Sequence, residues 1–556
     1  MARLRLCIFH YHLLPGGVTD VIIAWARILA GYSETIFPQY QRIELKICCG
    51  NPENVAELQA LDFGSRLALV EFVVDPKLGY WQDATEISAN LITSFEQHLR
   101  AEYYDEEQDN LWWIHNYHLG KNPVYTQAVL RIIRCSQLQN LRFLLHIHDF
   151  PECGRFALYE GLSQAQRDLE QPDNSGSDGI ADLYPVSAKV CYGTINKRDL
   201  RILRDAGLPG EQLFFLPNPL EFRDLCPKNR PHKRETLRME FNRSFGLPDA
   251  MVALYPVRCI RRKNILELAL LNVLSEHPWN LISTLPGRSP AEQPYSQLVE
   301  ELYETGIIQG RCNVGLELEA KGWSFDMLCW MADFIVSSSV MEGFGFAYFN
   351  AMYWNKYLLA RHLDVLEGFE HCFAPNLALF YHELKIPLRK LDGTIDEELA
   401  DWYAALGRRY ANYADRLPPF VGKELRRQLD IFAEWPEYFD FALLDVAGQK
   451  KLLLRLNNAD PKDKNSLLAA CRKANEDLLR RLETLSSARP DGETPEPSPL
   501  AAEFAPSRLA GILREACTGA PSPQNCLNAD LSIGKKVLQA FSLLDYHYAI
   551  LWDDDF

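Results

Sequence analysis

The segment from Phe334 to Lys356, FIVSSSVMEGFGFAYFNAMYWNK, places a single carboxylate beside two glycines at the predicted end of a strand. Gly343 and Gly345 leave the surrounding backbone amides accessible, and Glu342 adds one acidic acceptor at the head of the following helix. Amide donors next to one carboxylate suit a hydroxyl-rich ligand. The alternative is that Glu342 only caps the helix.

Cations follow another predicted strand, in the segment YPVRCIRRKNILELALL. Arg258 ends this strand, and Lys263 lies five residues later, directly before a helix. Two cations at a strand end and a helix start can hold an anion, and a diphosphate matches this arrangement well. The alternative is a solvated basic loop, a description that Arg261 and Arg262 also fit.

Two strand ends in the first half of the chain carry further candidates. Gly16 and Gly17 open a turn before an apolar helix, where a phosphate or sugar could approach the backbone amides. His146 and His148 share one side of a later strand, but no carboxylate or thiol at metal-ligand spacing accompanies them, so we predict no metal site. The structural alternatives are a plain turn and hydrogen-bonded core histidines.

The elements that position these residues alternate between short apolar runs and longer helical patterns. The predicted strands are residues 3–10, 43–50, 69–74, 111–117, 142–149 and 182–188, then 251–258, 280–286, 312–318, 333–339 and 357–363. Strands rich in Val, Ile and Leu suit sheets covered on both faces, and repeated strand–helix order means parallel sheets. We predict an α/β fold with two Rossmann-like doubly wound domains, whose ligands bind beyond the carboxyl ends of the strands.

The domain boundary is predicted near residue 215, where Pro217 and Pro219 force an extended backbone. The predicted parts are an N-terminal domain, a second domain, a helical extension, a flexible Pro-rich linker and a C-terminal accessory segment: 1–215, 216–430, 431–485, 486–507 and 508–556. Residues 535–552 are apolar enough to dock onto the body or onto a second copy, which would give a homo-oligomer.

Composition excludes several classes of protein. The chain has 556 residues and a formal charge of −16, which argues against binding to nucleic acid and to anionic membrane surfaces. Its 14 cysteines are scattered through apolar segments without a CxxC pair, which indicates reduced thiols in a cytoplasmic protein. The N-terminus lacks the features of a signal peptide, and no apolar run is long enough to span a membrane.

Taken in order, these motifs resemble the retaining glycosyltransferases of family 4, which have the two-domain GT-B fold. The resemblance runs from about residue 5 to about residue 430, and its markers are Gly16-Gly17, His148, Val186-Ser187, Pro217-Asn218, Arg258, Lys263, Ala332-Asp333, Ser338-Ser339 and Glu342-Gly343-Phe344-Gly345. Two positions depart from the family pattern. Asn350 stands where the family has a second glutamate that holds the nucleotide ribose, and residues 353–357 replace a Gly- and Pro-containing motif.

The resemblance implies transfer of a sugar from a nucleotide diphosphate donor to an acceptor hydroxyl, with the anomeric configuration retained. The implied catalytic residues are Arg258 and Lys263 at the leaving diphosphate, Glu342 at the donor sugar, and His148, which orients the sugar. Because the two cations stabilise the leaving group, no metal or other cofactor is expected. The implied donor-binding residues are Gly16, Gly17, Gly343, Phe344, Gly345 and, below the ribose, Asn350.

The expected partners are a nucleotide-sugar donor and a small soluble or carbohydrate acceptor. Acceptor contacts are expected from loops of the first domain, where Lys121 and Arg155 could meet an anionic group. The alternative function is a catalytically decayed sugar-nucleotide-binding or scaffold protein, which Asn350 supports. A dinucleotide-dependent oxidoreductase lacks support, because no GxGxxG follows a predicted strand.

Overall fold

The structure is a computed structural model. It describes residues 2–53, 56–64, 67–81, 87–167, 183–220, 234–429, 435–458, 460–487, 499–519 and 532–544. The chain divides into two compact units: unit 1 comprises Met1–Glu221 with Glu503–Leu544, and unit 2 comprises Phe222–Ala502 with Asp545–Phe556. Residues 488–498, half of the predicted linker at 486–507, lie outside the described residues, whereas residues 499–503 and 506–507 are helical.

Unit 1 is built on a parallel sheet of seven strands in the order β3-β2-β1-β4-β5-β6-β7. The strands are β1 Arg3–His10, β2 Arg42–Cys49, β3 Leu67–Val74, β4 Asp109–His115, β5 Leu141–Ile147, β6 Val190–Thr194 and β7 Leu213–Phe215. The central strands are buried along nearly their whole length, which explains their continuous apolar sequence. The register pairs His115 with His146 at the carboxyl edge of the sheet.

The crossover helices of unit 1 are α1 Gly17–Ile36, α2 Ala56–Gln59, α3 Ala89–Tyr103, α4 Pro123–Arg134, α5 Phe156–Arg167 and α6 Lys197–Ala206. Helix α4 begins where its sequence indicates, because the side chain of Asn122 accepts a hydrogen bond from the amide of Tyr125 and Pro123 occupies the first turn. Its start therefore lies directly after the loop that follows β4.

Two helices late in the chain belong to unit 1, namely α18 Pro506–Thr518 and α19 Ser532–Leu544. Helix α18 packs on α1, and α19 packs on α6. Arg142 of β5 donates to the carbonyl of Cys517 at 2.8 Å, and the rings of Phe541 and Phe150 lie 4.6 Å apart. Phe541 is fully buried, so the segment that we predicted as accessory supplies core residues to unit 1.

Unit 2 contains a parallel sheet of six strands in the order β10-β9-β8-β11-β12-β13. The strands are β8 Val252–Arg258, β9 Asn280–Leu285, β10 Gly310–Arg311, β11 Phe334–Ser337, β12 Tyr357–Arg361 and β13 Ala378–Tyr381. A separate antiparallel pair joins β14 Lys385–Pro387 and β15 Tyr438–Asp440. Since β8 and β11 are neighbours, the loops that leave their carboxyl ends meet.

The helices of unit 2 are α7 Arg234–Ser244, α8 Ile265–Leu274, α9 Gln293–Glu304, α10 Phe325–Met331, α11 Phe346–Tyr353, α12 Glu397–Arg416, α13 Pro419–Gln428, α14 Val446–Asn458, α15 Pro461–Ala474 and α16 Glu476–Ser487, followed by the short α17 Pro499–Glu503. The two parallel sheets with helical crossovers confirm the predicted fold class. None of the described helices combines the length and the apolar character that crossing a bilayer requires.

Two predicted strands are wrong. Residues 183–187 are irregular and the strand starts at Val190, because Pro185 has no amide hydrogen for a ladder and restricts the residue before it. Within 312–318, Asn313 has a φ of 57° and Leu316 is 67% exposed, so this apolar run forms a short 3-10 turn instead. Strand β13 was not predicted, because its four residues carry little pattern.

Candidate functional site

The loop after β8 forms the centre of the candidate site in unit 2. Residues Arg261–Lys263 make one 3-10 turn, Asn264 has a φ of 50°, and helix α8 begins at Ile265. The serine run after β11 secures this turn. Ser338 donates to the carbonyl of Lys263 at 3.0 Å, and Ser339 donates to that of Arg262 at 3.1 Å. These bonds explain why the apolar strand β11 ends in serines.

Glu342 lies between two cations of this turn. The ammonium group of Lys263 donates to Oε1 of Glu342, and Nη1 of Arg262 donates to Oε2 at 3.0 Å. The same nitrogen of Arg262 also donates to the carbonyl of Met341 at 2.9 Å. Glu342 therefore holds both cations, and the interpretation of Glu342 as a plain helix cap does not describe its contacts.

The electrostatics of this cluster are set by burial and by the pairing together. Burial disfavours the ionised form of Glu342, yet Lys263 and Arg262 outweigh it and hold its pKa at about 2. Burial is also the largest effect on Lys263, and it lowers the pKa of this lysine to about 8 despite the attraction of Glu342. The lysine thus keeps its charge near neutral pH with the help of its partner.

Arg258 ends β8 and contacts a different acid. Its Nη1 lies 3.1 Å from Oε2 of Glu292, which also accepts hydrogen bonds from the amides of Arg288 and Ser289. The Arg258 side chain remains 41% exposed, so a ligand can reach part of it. The predicted pair Arg258 and Lys263 thus lies on one loop, with each cation held by its own carboxylate.

The Gly-rich part of the Glu342 loop leads into α11. Gly345 has a φ of 90°, a left-handed conformation that favours glycine, and a Cβ there would lie 3.2 Å from the ring of Tyr348. Phe344 is 3% exposed, and its ring centre lies 4.9 Å from that of Phe349, so its side chain contributes to packing. The donor role that the family resemblance implies for Phe344 would therefore involve its backbone and not its side chain.

Asn350 lies on α11, five residues after Gly345. Its carbonyl accepts the amide of Trp354 at 2.8 Å, and its half-buried side chain makes no hydrogen bond within the described residues. The neighbouring Tyr348, by contrast, donates to the carbonyl of Arg361 at 2.9 Å and is fully buried. The amide of Asn350 is thus available for a ligand.

A buried ion network holds the loop that carries Lys263. Arg361, 2% exposed, pairs with Glu267 of α8 and, through both of its terminal nitrogens, with Asp440 at 2.7 and 2.9 Å. Glu267 also accepts from Asn264 at 2.7 Å, next to Lys263. Sequence reasoning missed this network, because nothing local links the three charged residues.

The predicted histidine of unit 1, His148, belongs to a buried cluster. Its Nε2 lies 2.8 Å from Nδ1 of His115, and its amide donates to the side chain of Asn116, which has a φ of 55°. Burial lowers the pKa of His148 well below its usual range, so its ring is neutral. His148 belongs to unit 1, whereas Glu342 and its two cations belong to unit 2.

The side chains of His115, His146 and His148 lie within 4.8 Å of one another, the only such group of metal-type ligands in the described residues. The hydrogen bonds of His146 do not fit a metal ligand. Its Nδ1 accepts from the indole of Trp113 at 3.3 Å, and its Nε2 therefore donates to the carbonyl of Leu216 at 3.1 Å. Neither nitrogen has a lone pair left for a metal, which favours the interpretation of a hydrogen-bonded core.

The glycine turn and the two predicted acceptor cations also lie in unit 1. Gly16 caps the 20-residue helix α1 without a side-chain bond, and a Cβ on Gly17 would meet nothing within 4 Å. Arg155 pairs with both oxygens of Asp149. Lys121 lies 5.2 Å from the ring centre of Tyr80. The two cations therefore have different environments, one neutralised by a carboxylate and one above an aromatic ring.

Known proteins include a relative of this chain along most of its length. The mannosylglucosyl-3-phosphoglycerate synthase of Petrotoga mobilis is 30% identical over 497 residues, which cover 87% of this chain and 86% of that protein. The chain belongs to the family of this synthase. Membership confirms the prediction of an enzyme of the nucleotide-sugar glycosyltransferase class. No protein-family profile matches the chain.

Solved structures with low similarity include the following two proteins. Anabaena Alr3699/HepE in complex with UDP and glucose is 14% identical and has a TM-score of 0.41, with 88% of this chain and all of that chain covered. Sucrose-phosphate synthase from Thermosynechococcus elongatus is 13% identical and has a TM-score of 0.39. The match covers 87% of this chain and all of that chain. Likenesses of this degree carry no information about substrate.

Arg262 is the residue whose part in the site the sequence analysis did not identify. The alternative of a solvated basic loop, which Arg261 and Arg262 also fitted, does not describe the contacts of either residue. Arg261 donates to the carbonyl of Leu444 at 3.0 Å, and Arg262 pairs with Glu342. The only available signal was that Arg262 directly precedes Lys263, which is too common a pattern to decide its role.

Proposed function

We propose that this protein is a retaining, metal-independent glycosyltransferase of the family 4 type. It transfers a hexosyl group from a nucleotide diphosphate sugar to a hydroxyl of a small anionic acceptor. The acceptor class follows from the name of the relative, a mannosylglucosyl-3-phosphoglycerate synthase, in which the last sugar is joined to a glucosylated phosphoglycerate. A glucosyl-3-phosphoglycerate is therefore the first acceptor to test, with a mannosyl nucleotide as donor.

The observation that carries this proposal is the cationic turn after β8. Arg258, Arg262 and Lys263 present three positive groups at the carboxyl edge of the unit 2 sheet, and two of them share the carboxylate of Glu342. Charge develops on the leaving diphosphate in the transition state, and preorganised cations stabilise it. These cations supply the charge that a divalent ion supplies in other transferases, which is why we propose metal independence.

In the proposed reaction, the bond between the anomeric carbon and the diphosphate oxygen breaks, and a bond to the acceptor oxygen forms on the same face. The departing diphosphate takes the proton of the acceptor hydroxyl. The amides around Gly343 and Gly345 and the carboxylate of Glu342 contact the donor sugar, and Asn350 contacts the ribose. The family resemblance assigns the orientation of the sugar to His148, whose ring is neutral and whose backbone amide donates to Asn116.

We also propose a cytoplasmic location. The twelve described cysteines are all free thiols, as expected in a reducing compartment. Burial raises the pKa of several of these thiols, for example that of Cys259 to about 11, so they are protonated and unreactive at neutral pH.

The test is transfer by the purified full chain, with a panel of mannosyl and glucosyl nucleotides and with glucosyl-3-phosphoglycerate as acceptor. NMR of the product reports the anomeric configuration, and inversion would refute retention. Turnover should persist in excess chelator, and a loss restored by manganese or magnesium would refute metal independence. Donor binding without transfer or hydrolysis, across the panel, would support the decayed-binder alternative.

Variants of the cationic turn connect this activity to the site. Arg258→Ala and Lys263→Ala should each lower kcat by about 10² to 10³, the usual cost of removing one charge-stabilising donor. The matched control is Arg311→Ala, because Arg311 is an exposed cation of the same unit, paired with Glu317. If Arg258→Ala and Lys263→Ala keep the activity of the control, the diphosphate assignment is wrong.

A further inference from the structure

The cationic turn after β8 is held by a segment that lies far along the chain, residues 440–449. This segment runs from the end of β15 into the first turn of α14, beyond the part of the chain that resembles family 4. Gln449 is fully buried, and its Nε2 donates to Oδ1 of Asn264 at 3.0 Å. The carbonyl of Leu444 accepts a hydrogen bond from Nη2 of Arg261 at 3.0 Å. We refer to residues 440–449 as the anchoring segment.

The side chain of Asn264 is used for these contacts and not for capping a helix. Asn264 directly precedes α8 and occupies its capping position, yet its side chain makes no capping hydrogen bond. An asparagine at this position usually accepts from the amides of the first helical turn. Here Oδ1 accepts from Gln449 and, at 3.3 Å, from Arg261, while Nδ2 donates to Oε2 of Glu267 at 2.7 Å. Both ends of the side-chain amide therefore link the turn to its surroundings.

The backbone of Asn264 sets the direction in which Lys263 leaves the turn. Its φ of 50° is left-handed, and this conformation connects the turn to α8. A residue other than glycine keeps such a conformation when the surrounding contacts determine it. Ser338 adds to these contacts, because its hydroxyl lies 3.0 Å from the carbonyl oxygen of Lys263 and 2.9 Å from that of Asn264.

A second path joins the anchoring segment to Asn264 through buried charges. Asp440 contacts Arg361 through both carboxylate oxygens, Arg361 pairs with Glu267 at 2.6 Å, and Glu267 accepts from Asn264. Removal of one partner from a buried ion pair is strongly destabilising, because it leaves an uncompensated charge. The neutral Gln449 is therefore the more informative residue of the anchoring segment to change.

We propose that the anchoring segment positions Lys263 at the leaving diphosphate, with Gln449 as a positioning residue that acts through Asn264. This proposal rests on the proposed function, because that function gives Lys263 its contact with the diphosphate. Gln449 fixes the turn, and the turn fixes the ammonium group beside Glu342. A displaced cation stabilises the developing charge less, so the loss of positioning lowers kcat more than it weakens donor binding.

Two variants test the positioning role by separate routes. Gln449→Leu removes the side-chain amide at similar size, and it should lower kcat about 10- to 10²-fold, the cost of a small misplacement, with the donor KM changed less than about twofold. Asn264→Gly permits the left-handed backbone and removes the side-chain contacts, so it should lower kcat by a similar factor. If Asn264 served the backbone conformation alone, glycine would keep the wild-type kcat, and that result would overturn the proposal.

The matched control is Asn272→Ala, which changes a buried asparagine on the same helix, α8. The side chain of Asn272 donates to the carbonyl of Trp279 at 2.8 Å and accepts its amide at 2.9 Å. This variant should lower Tm and leave kcat near the wild-type value, because it does not touch the turn. An equal loss of kcat in Asn272→Ala and Gln449→Leu would show a general effect of destabilisation and would overturn the proposal.

A double variant tests whether Gln449 acts through Lys263. In the Lys263→Ala background, Gln449→Leu should lower kcat no further, because the group that it positions is absent. If the effects of the two substitutions multiply, Gln449 acts independently of Lys263 and the positioning role is wrong.

Binding of inorganic diphosphate to the full chain separates this proposal from the proposed function. Free diphosphate carries the extra charge that the leaving group gains, so Gln449→Leu should weaken its binding about three- to tenfold, measured by calorimetry, and Asn272→Ala should not. If the wild type transfers sugar and Gln449→Leu changes neither kcat nor diphosphate binding, the positioning proposal fails while the proposed function stands. If Gln449→Leu weakens diphosphate binding but the wild type transfers no sugar, the positioning proposal stands and the proposed function fails.

Discussion

Glu342 should keep Lys263 charged, and Glu342→Gln tests this relation through the pH dependence of catalysis. Glu342 contacts Lys263 directly, and its pKa of about 2 means that it is ionised throughout the working range. Lys263 has its pKa lowered to about 8, so in the wild type it loses its proton just above neutral pH. The variant removes the negative charge and keeps the size of the side chain.

The size of the effect follows from the contact. A hydrogen bond between charged groups contributes about 1.5–3 kcal/mol, which corresponds to about 1–2 pKa units. The alkaline limb of kcat/KM, which reports groups of the free enzyme, should therefore move from about pH 8 to between about 6 and 7. At pH 7.5 the charged fraction of Lys263 would fall about eightfold if the limb moved by about 1.5 units.

The assay is kcat/KM for the donor at constant ionic strength, from about pH 5.5 to about pH 9.5. Glu292→Gln is the matched control, because it removes the acid partner of Arg258, whose charge does not titrate in this range. Lys263→Arg combined with Glu342→Gln should abolish the alkaline limb. If Glu342→Gln lowers kcat/KM by the same factor at every pH, Glu342 acts on the donor sugar alone and the reasoning is refuted.

Three further predictions test other parts of the molecule. Burial raises the pKa of Glu152 to about 7. Between the pKa of the unfolded chain and this value, the native state keeps a proton that the unfolded chain has released. The free energy of unfolding therefore falls as the pH rises toward 7. Glu152→Gln should thus raise the free energy of unfolding by about 1–3 kcal/mol at pH 8 and leave it unchanged near pH 4, and equal gains at both would refute this. Deletion of residues 486–556 should unfold or aggregate unit 1, because it uncovers α1 and α6. Deletion of residues 545–556 serves as the control. A cooperative thermal unfolding transition of the protein with the larger deletion would contradict this prediction. Asn350→Ala should raise the donor KM about 2- to 13-fold with less effect on kcat, and an unchanged donor KM would remove Asn350 from the ribose site.

The sequence by itself predicted the fold class and most of its strands. Apolar runs of Val, Ile and Leu that alternate with helical patterns are local features, and burial on both faces of a parallel sheet demands them. The sequence also predicted that strand ends such as Arg258, Lys263 and Glu342 carry the chemistry, because the carboxyl edge of such a sheet is where ligands bind. Where a proline or a left-handed asparagine interrupts the pattern, as at Pro185 and Asn313, the predicted strands were wrong.

Only the tertiary structure decided which of these residues meet. Lys263 and Glu342 are 79 residues apart in the chain and touch because β8 and β11 are neighbours in the sheet. The same neighbouring strands bring Arg262 to Glu342, and this contact shows that Arg262 is not simply a solvated arginine. The packing of α18 on α1 and of α19 on α6 was also decided by the tertiary structure. The apolar face of an amphipathic helix indicates that the face is buried, but it does not indicate which surface covers it.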